Sequence, residues 1–281
     1  SGRQTSQRGD SAGQHSQQNK AQCSKQMGGH HAYPPADLIH KPGGQAVHAQ
    51  LHQKIDYDEQ GNLAPLHFDG LSPWRALEVG IRGYRTWPLI IELLADTPCF
   101  TEEFQQKLYQ SVQLHCKILY EISPLLWPKA DHNHYLMENL GLMALSCLFP
   151  EMPDSAKYLA HSQQELDRCM EAQCTPCGGQ IEGSPSYHNG CVFWFSLRLV
   201  FARKFHLTVP EHYTEQLKKM FIHSVHVTRA CGGNFPWGDS HIAEKETMAL
   251  AATACYIAFE DPFYLRTALY FYPPKTLMND I

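Results

Sequence analysis

The chain has 281 residues, enough for one large helical domain, or for one domain with fragments of a neighbour, and ample to bury a core. Hydrophobic residues make up 43% and charged residues 18%, the balance of an ordinary soluble globular protein. A formal net charge of -5 and a pI near 6.4 argue against a general nucleic-acid or polyanion surface, so a polyanionic ligand would have to be recognised locally.

Residues 1–36 are rich in Gln, Ser, Gly and His and lack apolar periodicity, a composition that cannot offset its ordering entropy. The reading is a mobile or loosely draped segment, with His30-His31 as an incidental pair. Residues 37–281 form the folded domain. A helical pattern over roughly 74–95 comes first. Thr101-Glu102-Glu103 then supplies a cap and first-turn acids for a helix carrying Phe104, Leu108, Val112 and Leu119. Residues 134–148 are apolar almost all round and must be buried on most sides. Further helices are predicted near 154–173, 190–205, around Leu217, Phe221 and Val225, and at 241–258 and 262–270. Period-two patterns are scarce, so the chain is all-α. Consecutive antiparallel hairpins suit an (α/α) toroid better than a four-helix bundle, and no fixed-period repeat points to a solenoid.

No apolar run of about eighteen residues offers a membrane span. The start carries neither Met nor the apolar stretch of a signal peptide; Ser1-Gly2 reads as a processed or excised beginning. No strand signals follow Tyr272-Pro273-Pro274, so a second, β domain would lie outside this sequence. The ten cysteines are scattered, and Cys174-Thr175-Pro176-Cys177 is the one close pair. Without a second CxxC it reads as a loop with two packed or paired cysteines.

Two segments carry the chemistry. Asp131-His132-Asn133-His134 opens the most apolar helix, and Gly178-Gly179-Gln180-Ile181-Glu182-Gly183-Ser184-Pro185-Ser186-Tyr187-His188 precedes another. An amide, imidazoles and a phenol at helix N-termini can hold a carboxylate and move a proton. A free phenol ionises near pH ~10, so a basic Tyr187 needs positive charge or donors beside it; His188 and His134 are the nearest candidates. Taken singly, each has a plainer role: Asn133 as a helix cap, His134 as a packed or surface imidazole, Tyr187-His188 as half-buried core. His223 and His226 share a predicted helix face, but no third ligand completes a set. No metal and no cofactor is expected.

The residues from about Leu66 to Phe259 resemble the helical domain of heparinase II/III-type polysaccharide lyases. The resemblance rests on Trp74-Arg75 with Gly80-Ile81-Arg82, on Asn133-His134, on Glu182 to His188, and on Gly238-Asp239-Ser240 after Phe235-Pro236, in that order. It implies an incomplete (α/α) toroid, followed in full-length relatives by an antiparallel β-sandwich. It also implies β-elimination at a uronic acid: a base removes the C5 proton, the 4-linked oxygen leaves protonated, and a 4,5 double bond forms. Donors must absorb the charge that develops on the uronate carboxylate, the role the resemblance gives to Asn133 and His134. Tyr187 matches the catalytic tyrosine, as base, acid or both in turn. His188 either acts directly or supports Tyr187.

As substrate-binding residues the resemblance suggests Arg75, Arg82, Glu182, Trp237 and Asp239. Arg75 and Arg82 alternatively form structural ion pairs. Glu182 alternatively fixes its loop by accepting backbone N–H groups, and Asp239 caps a helix beginning near His241. Trp74, Trp127 and Trp237 serve either as sugar platforms or as core. The chain departs from many relatives in having His132 where they carry a second Asn, and relatives draw a further catalytic His or Tyr from a region beyond Ile281. Two rivals stand beside the lyase. One is a glycoside hydrolase using Glu182 and Asp239, roughly 6.5–9.5 Å apart if inverting; the other is a non-catalytic carbohydrate-binding relative. The expected partner is an acidic polysaccharide such as heparin, heparan sulfate or alginate, with no nucleic acid and no membrane. By resemblance the location is periplasmic or secreted.

Overall fold

The computed structural model describes residue 60 and residues 73–230, 233–240 and 245–271. The 1–36 segment, with His30-His31, lies outside the described residues. Among the described residues every regular element is helical, and extended pairing is confined to two isolated antiparallel bridges, Cys174 with Gln180 and Thr228 with Asn234. The all-α class read from the sequence is therefore what these residues adopt. None of their helices is long and apolar enough to cross a membrane.

The stretch expected as one helix over 74–95 contains an expansion. Helix α1 (Ala76–Ile81) runs into a π-helical turn at Arg82–Thr86 and on into α2 (Trp87–Leu94). Pro88 follows the turn; it lacks an N–H, and its ring would crowd the Tyr84 carbonyl four residues back in a regular helix. The Trp87 N–H instead reaches the Arg82 carbonyl, five residues back.

Helix α3 (Glu102–Glu121) begins as its sequence dictates: the Thr101 hydroxyl accepts the Phe104 N–H at 3.2 Å, and Glu102 and Glu103 occupy the positive first turn. Leu108, Val112 and Leu119 are buried as the periodicity requires, together with His115, Cys116 and Ile118. A short helix, α4 (Ser123–Leu126), leads into the loop before α5 (Asn133–Leu148). Then follow α6 (Ser155–Gln173), α7 (Pro185–Lys204), α8 (Glu211–Val227), α9 (Lys245–Phe259) and α10 (Pro262–Phe271). Helix α7 starts at Pro185, five residues before the expected 190. Ser184 takes extended cap geometry and Pro185 the first helical position, where its missing N–H costs nothing. Tyr187 and His188 thus sit in the first turn of α7, not in the loop before it.

Helix α5 is the centre of the molecule. Every residue from Tyr135 to Ser146 is buried. Leu136, Leu140 and Met143 pack into a core shared with α6 to α10, while Leu142 and Leu145 join a second core with α1 and α3. Where α1 and the π turn cross α5 the backbones touch. A Cβ on Gly80 would lie 2.7 Å from the Glu138 Cα, and one on Gly83 would lie 2.9 Å from the Gly141 Cα. Gly141→Ala is accordingly expected to force the two helices apart, costing about 1–3 kcal/mol or more by overpacking. Chemical denaturation of the variant against the parent measures this.

Candidate active site

The Asn133-His134 end of α5 is held from three directions. The cap is His132, not Asn133: the His132 backbone is extended, and its Nδ1 accepts the His134 N–H at 3.2 Å. The His132 ring stacks on Trp127 at 4.1 Å and 19°, and His134 meets both rings edge-on. Trp127 in turn donates its Nε1–H to the buried Glu138 at 3.3 Å. From α6, Arg168 donates to the Pro128 carbonyl at 2.9 Å and to Glu165, which also accepts from the Tyr135 hydroxyl at 2.7 Å. Burial, with that acidic partner added, pushes ionisation of Tyr135 well above the usual phenol range. Gln173, also from α6, donates its Nε2 to the carbonyls of Ala130 and His132 at 2.9 and 3.0 Å.

Within this frame Asn133 is 2% exposed, and its Oδ1 has no hydrogen-bond partner among the described residues. A buried acceptor without a partner costs about 1–3 kcal/mol. His134 is half-buried beside it.

The second half of the site is the loop from Cys174 into α7. The loop folds back on itself, with Thr175 N–H bonded to Gly179 O at 2.8 Å and Ile181 N–H bonded to Gln173 O at 3.0 Å. Gly178 turns the chain at φ 93° in direct contact with the α8 backbone at Lys219 and Met220, where a side chain has no room. His188 is 3% exposed and locks this arrangement. Its Nδ1 accepts the Gln180 N–H at 3.2 Å, so its Nε2–H donates to Met220 O at 3.0 Å. Burial pushes the His188 imidazole down to about 4, and neighbouring His223 acts in the same direction. His188 is therefore neutral near pH 7 and brings no positive charge to Tyr187, contrary to the expectation from sequence. Tyr187 is partly exposed, and none of the described residues hydrogen-bonds its hydroxyl.

Residues 233–240 dock on the start of α7. Ser184 occupies the cap position, but its side chain does not cap; the Ser186 N–H donates to Ser240 Oγ at 2.9 Å, a cap supplied from 54 residues away. Ser184 and Ser240 also bond each other at 3.0 Å. Asn189 donates to Asn234 at 3.0 Å in the interior. Trp237 donates its Nε1–H to Gly183 O at 3.1 Å and stacks on Phe235 at 5.1 Å and 10°, leaving both rings substantially exposed. The Glu182-to-His188 and Gly238-Asp239-Ser240 motifs thus form one unit.

Other expected residues are placed differently. Glu182 is exposed and accepts the Gln180 side-chain amide at 3.0 Å; it is Gln180 Oε1 that takes a backbone N–H, that of Glu182, at 2.8 Å. Asp239 is exposed, and the residues joining it to α9 lie outside the described residues. Trp74 belongs to the core at 7% exposure, which removes it from the sugar-platform set. Arg82 donates to His115 Nε2 at 3.0 Å and to Pro73 O at 2.6 Å. His115 is pushed down to about 3 by burial and by that guanidinium. Arg75 pairs with Glu78 at 3.5 Å. Cys174 lies against Met220, burial pushing its thiol up to about 12, and Cys177 is exposed; neither is in a disulfide. Among the described residues no three His, Cys, Asp or Glu side chains gather as a metal site. Gln173 and Asn234 carried no signal in the sequence, because each acts across a long separation, and nothing in the Gly238-Asp239-Ser240 motif shows that Ser240 caps α7.

Comparison with known proteins now bears on this geometry. The family model described as Heparinase II/III N-terminus matches residues 53–262. The chain is similar to a heparin-sulfate lyase of Bacteroides stercoris, 25% identical over 180 residues, which cover 62% of this chain and 26% of that protein. It is similar in structure to heparan sulfate lyase HepC of Pedobacter heparinus, with 23% identity, a TM-score of 0.56, and coverage of 84% of this chain and 37% of that one. A solved heparinase III gives 18% identity, a TM-score of 0.63, and coverage of 80% and 35%. The chain thus spans well under half the length of each. At these identities the structural likeness shows the fold, the incomplete (α/α) toroid read from the sequence.

Two outcomes follow from the site's construction. Ser240→Ala is expected to lower stability by about 0.5–2 kcal/mol, the usual worth of a helix cap, in a denaturant melt. His188, neutral in the folded chain, takes up a proton on unfolding at any pH between about 4 and its ordinary 6.5. Its contribution is therefore complete above 6.5 and is lost as pH falls toward 4. Denaturation midpoints from about pH 7 to about pH 4.5 should decline, and less steeply in His188→Gln.

Proposed function

The chain belongs to the heparinase II/III family through that family's N-terminal domain, and on this footing we propose that the full-length protein is a polysaccharide lyase cleaving a heparin- or heparan sulfate-like glycan by β-elimination. The observation that carries the reading is the placement of the Asn133 amide and the His134 ring at the N-terminal end of α5 and of the Tyr187 phenol in the first turn of α7. The buried Asn133 amide oxygen and the Tyr187 hydroxyl have no partner among the described residues, while His188, Gln180, Ser184 and Ser240 are all engaged. An amide donor at a helix N-terminus suits a carboxylate, and a phenol that no described residue engages is placed to meet a leaving oxygen.

In the proposed reaction the uronate carboxylate sits at the N-terminal end of α5, with the Asn133 Nδ2–H₂ and His134 as donors. The carboxylate polarises the C5–H bond, and these donors, with the positive end of the helix, absorb the charge that moves onto it as the proton leaves. Tyr187, with no charge lent by His188, acts as the neutral acid that protonates the departing O4. The base at C5 is assigned to the part of the full-length protein that this chain does not span. His188 is a positioning residue: it fixes the loop and the first turn of α7, and so the direction of Tyr187. Trp237 and Phe235 offer apolar faces for a neighbouring sugar ring, and Arg75, with one modest ion pair, remains available to a sulfate or carboxylate. Secretion or residence in the periplasm fits an extracellular polymer. Glu182 and Asp239 are exposed, outside the enclosed pocket that a hydrolase acid needs.

The test is the ultraviolet absorbance of the 4,5-unsaturated uronate on incubating the full-length protein with heparan sulfate. Tyr187→Phe should abolish the signal, and Asn133→Ala should lower kcat on the order of 10²–10³-fold, the cost of removing one oxyanion donor. New reducing ends without absorbance, abolished by Glu182→Gln, would replace elimination by hydrolysis.

A further inference from the structure

The two halves of the site come from segments about fifty residues apart, and one buried residue bonds to both, to the first through its side chain and to the second through its backbone carbonyl. Gln173, the last residue of α6, is 0% exposed. Its Nε2 donates to the Ala130 and His132 carbonyls, which lead directly into Asn133. Its own carbonyl accepts the Ile181 N–H, in the return of the loop that ends at Tyr187. The amide orientation is fixed by chemistry, because reversing it would set oxygen against two carbonyl oxygens. In this orientation Gln173 Oε1 is buried with no hydrogen-bond partner among the described residues. Leaving that acceptor unpaired costs about 1–3 kcal/mol, which the two donor bonds must offset.

The constraint acts on a strained backbone. Ala130 has φ 56°, a left-handed conformation unfavourable for a residue with a Cβ. Its N–H is bonded to Trp127 O at 3.1 Å and its carbonyl to Gln173. Without the Gln173 donor one of these two restraints goes, and the turn that aims Asp131 and His132 into α5 can relax.

We propose that Gln173 is the positioning residue that sets the separation of the Asn133-His134 carboxylate site from the Tyr187 phenol. The proposal rests on the lyase reading above. Elimination needs the carboxylate and the leaving oxygen of one sugar ring to meet their partners together, and a misplacement of about 1 Å can cost on the order of 10²-fold in rate. Binding of the rest of the chain is made elsewhere and is unaffected.

The experiment uses the full-length protein, heparan sulfate and the absorbance assay, with folded fraction followed by circular dichroism. Gln173→Met keeps the length of the side chain and removes both donors. It should lower kcat on the order of 10–100-fold with KM within about twofold. Gln173→Glu donates only while its buried carboxyl is protonated, so its kcat relative to the parent should rise as pH falls. A parental kcat in folded Gln173→Met would overturn the proposal. So would activity falling only with folded fraction, with Gln173→Glu following the parental pH profile. If the parent makes unsaturated product and Tyr187→Phe does not, these failures fall on Gln173 alone. A parent that makes none fails the lyase reading, and this proposal with it.

Discussion

The burial of α5 on all sides is the constraint from which the rest follows. Both hydrophobic cores pack on this one helix, and its crossing with α1 is set by glycines at backbone contact. Its position and rotation are therefore fixed by close packing with almost no latitude. A helix so enclosed holds its first turn, capped by His132, in a fixed place. Here that place is the Asn133-His134 end. This enclosed helix thus delivers the amide and the imidazole proposed to hold a carboxylate, which is where close packing benefits an electrostatic site.

Around that end the protein uses side chains to hold backbone. His132 caps, Gln173 and Arg168 hold the entering loop, His188 holds the loop to α7, and Ser240 caps α7 from a distance. Most of these bonds join segments far apart in sequence, and several use up a group that the sequence offers as a candidate for chemistry. His188 shows the consequence most clearly. Burial makes it neutral, and both of its ring nitrogens are taken by backbone partners, so the imidazole next to the proposed catalytic phenol lends that phenol no charge.

Much of the fold was legible because helix signals are local. The cap and first-turn acids of α3, and the all-round apolarity of α5, place those helices to within a residue or two. The start of α7 was missed although Ser184-Pro185 is a recognisable cap and first position, because the surrounding glycines read as loop. The π turn at Arg82–Thr86 has no periodicity of its own; it arises from Pro88 and from contact with α5. The pairing of chemistry-bearing residue types with helix starts was visible in the sequence. Which of them are free and which are bonded was not, since the partners of His188, Arg82 and Trp237 lie 8 to 54 positions away.

The central claim is that one uronate is held by the start of α5 and cleaved beside the start of α7. The most direct test is a structure of the full-length protein, as Tyr187→Phe, with a heparan sulfate oligosaccharide bound. The account predicts the uronate carboxylate within hydrogen-bond distance of Asn133 Nδ2 and of the His134 ring, with the edge of the substituted aromatic ring at position 187 facing the glycosidic O4 of the same sugar. An oligosaccharide seated with its carboxylates away from Asn133, and its glycosidic bond between Glu182 and Asp239, would contradict it.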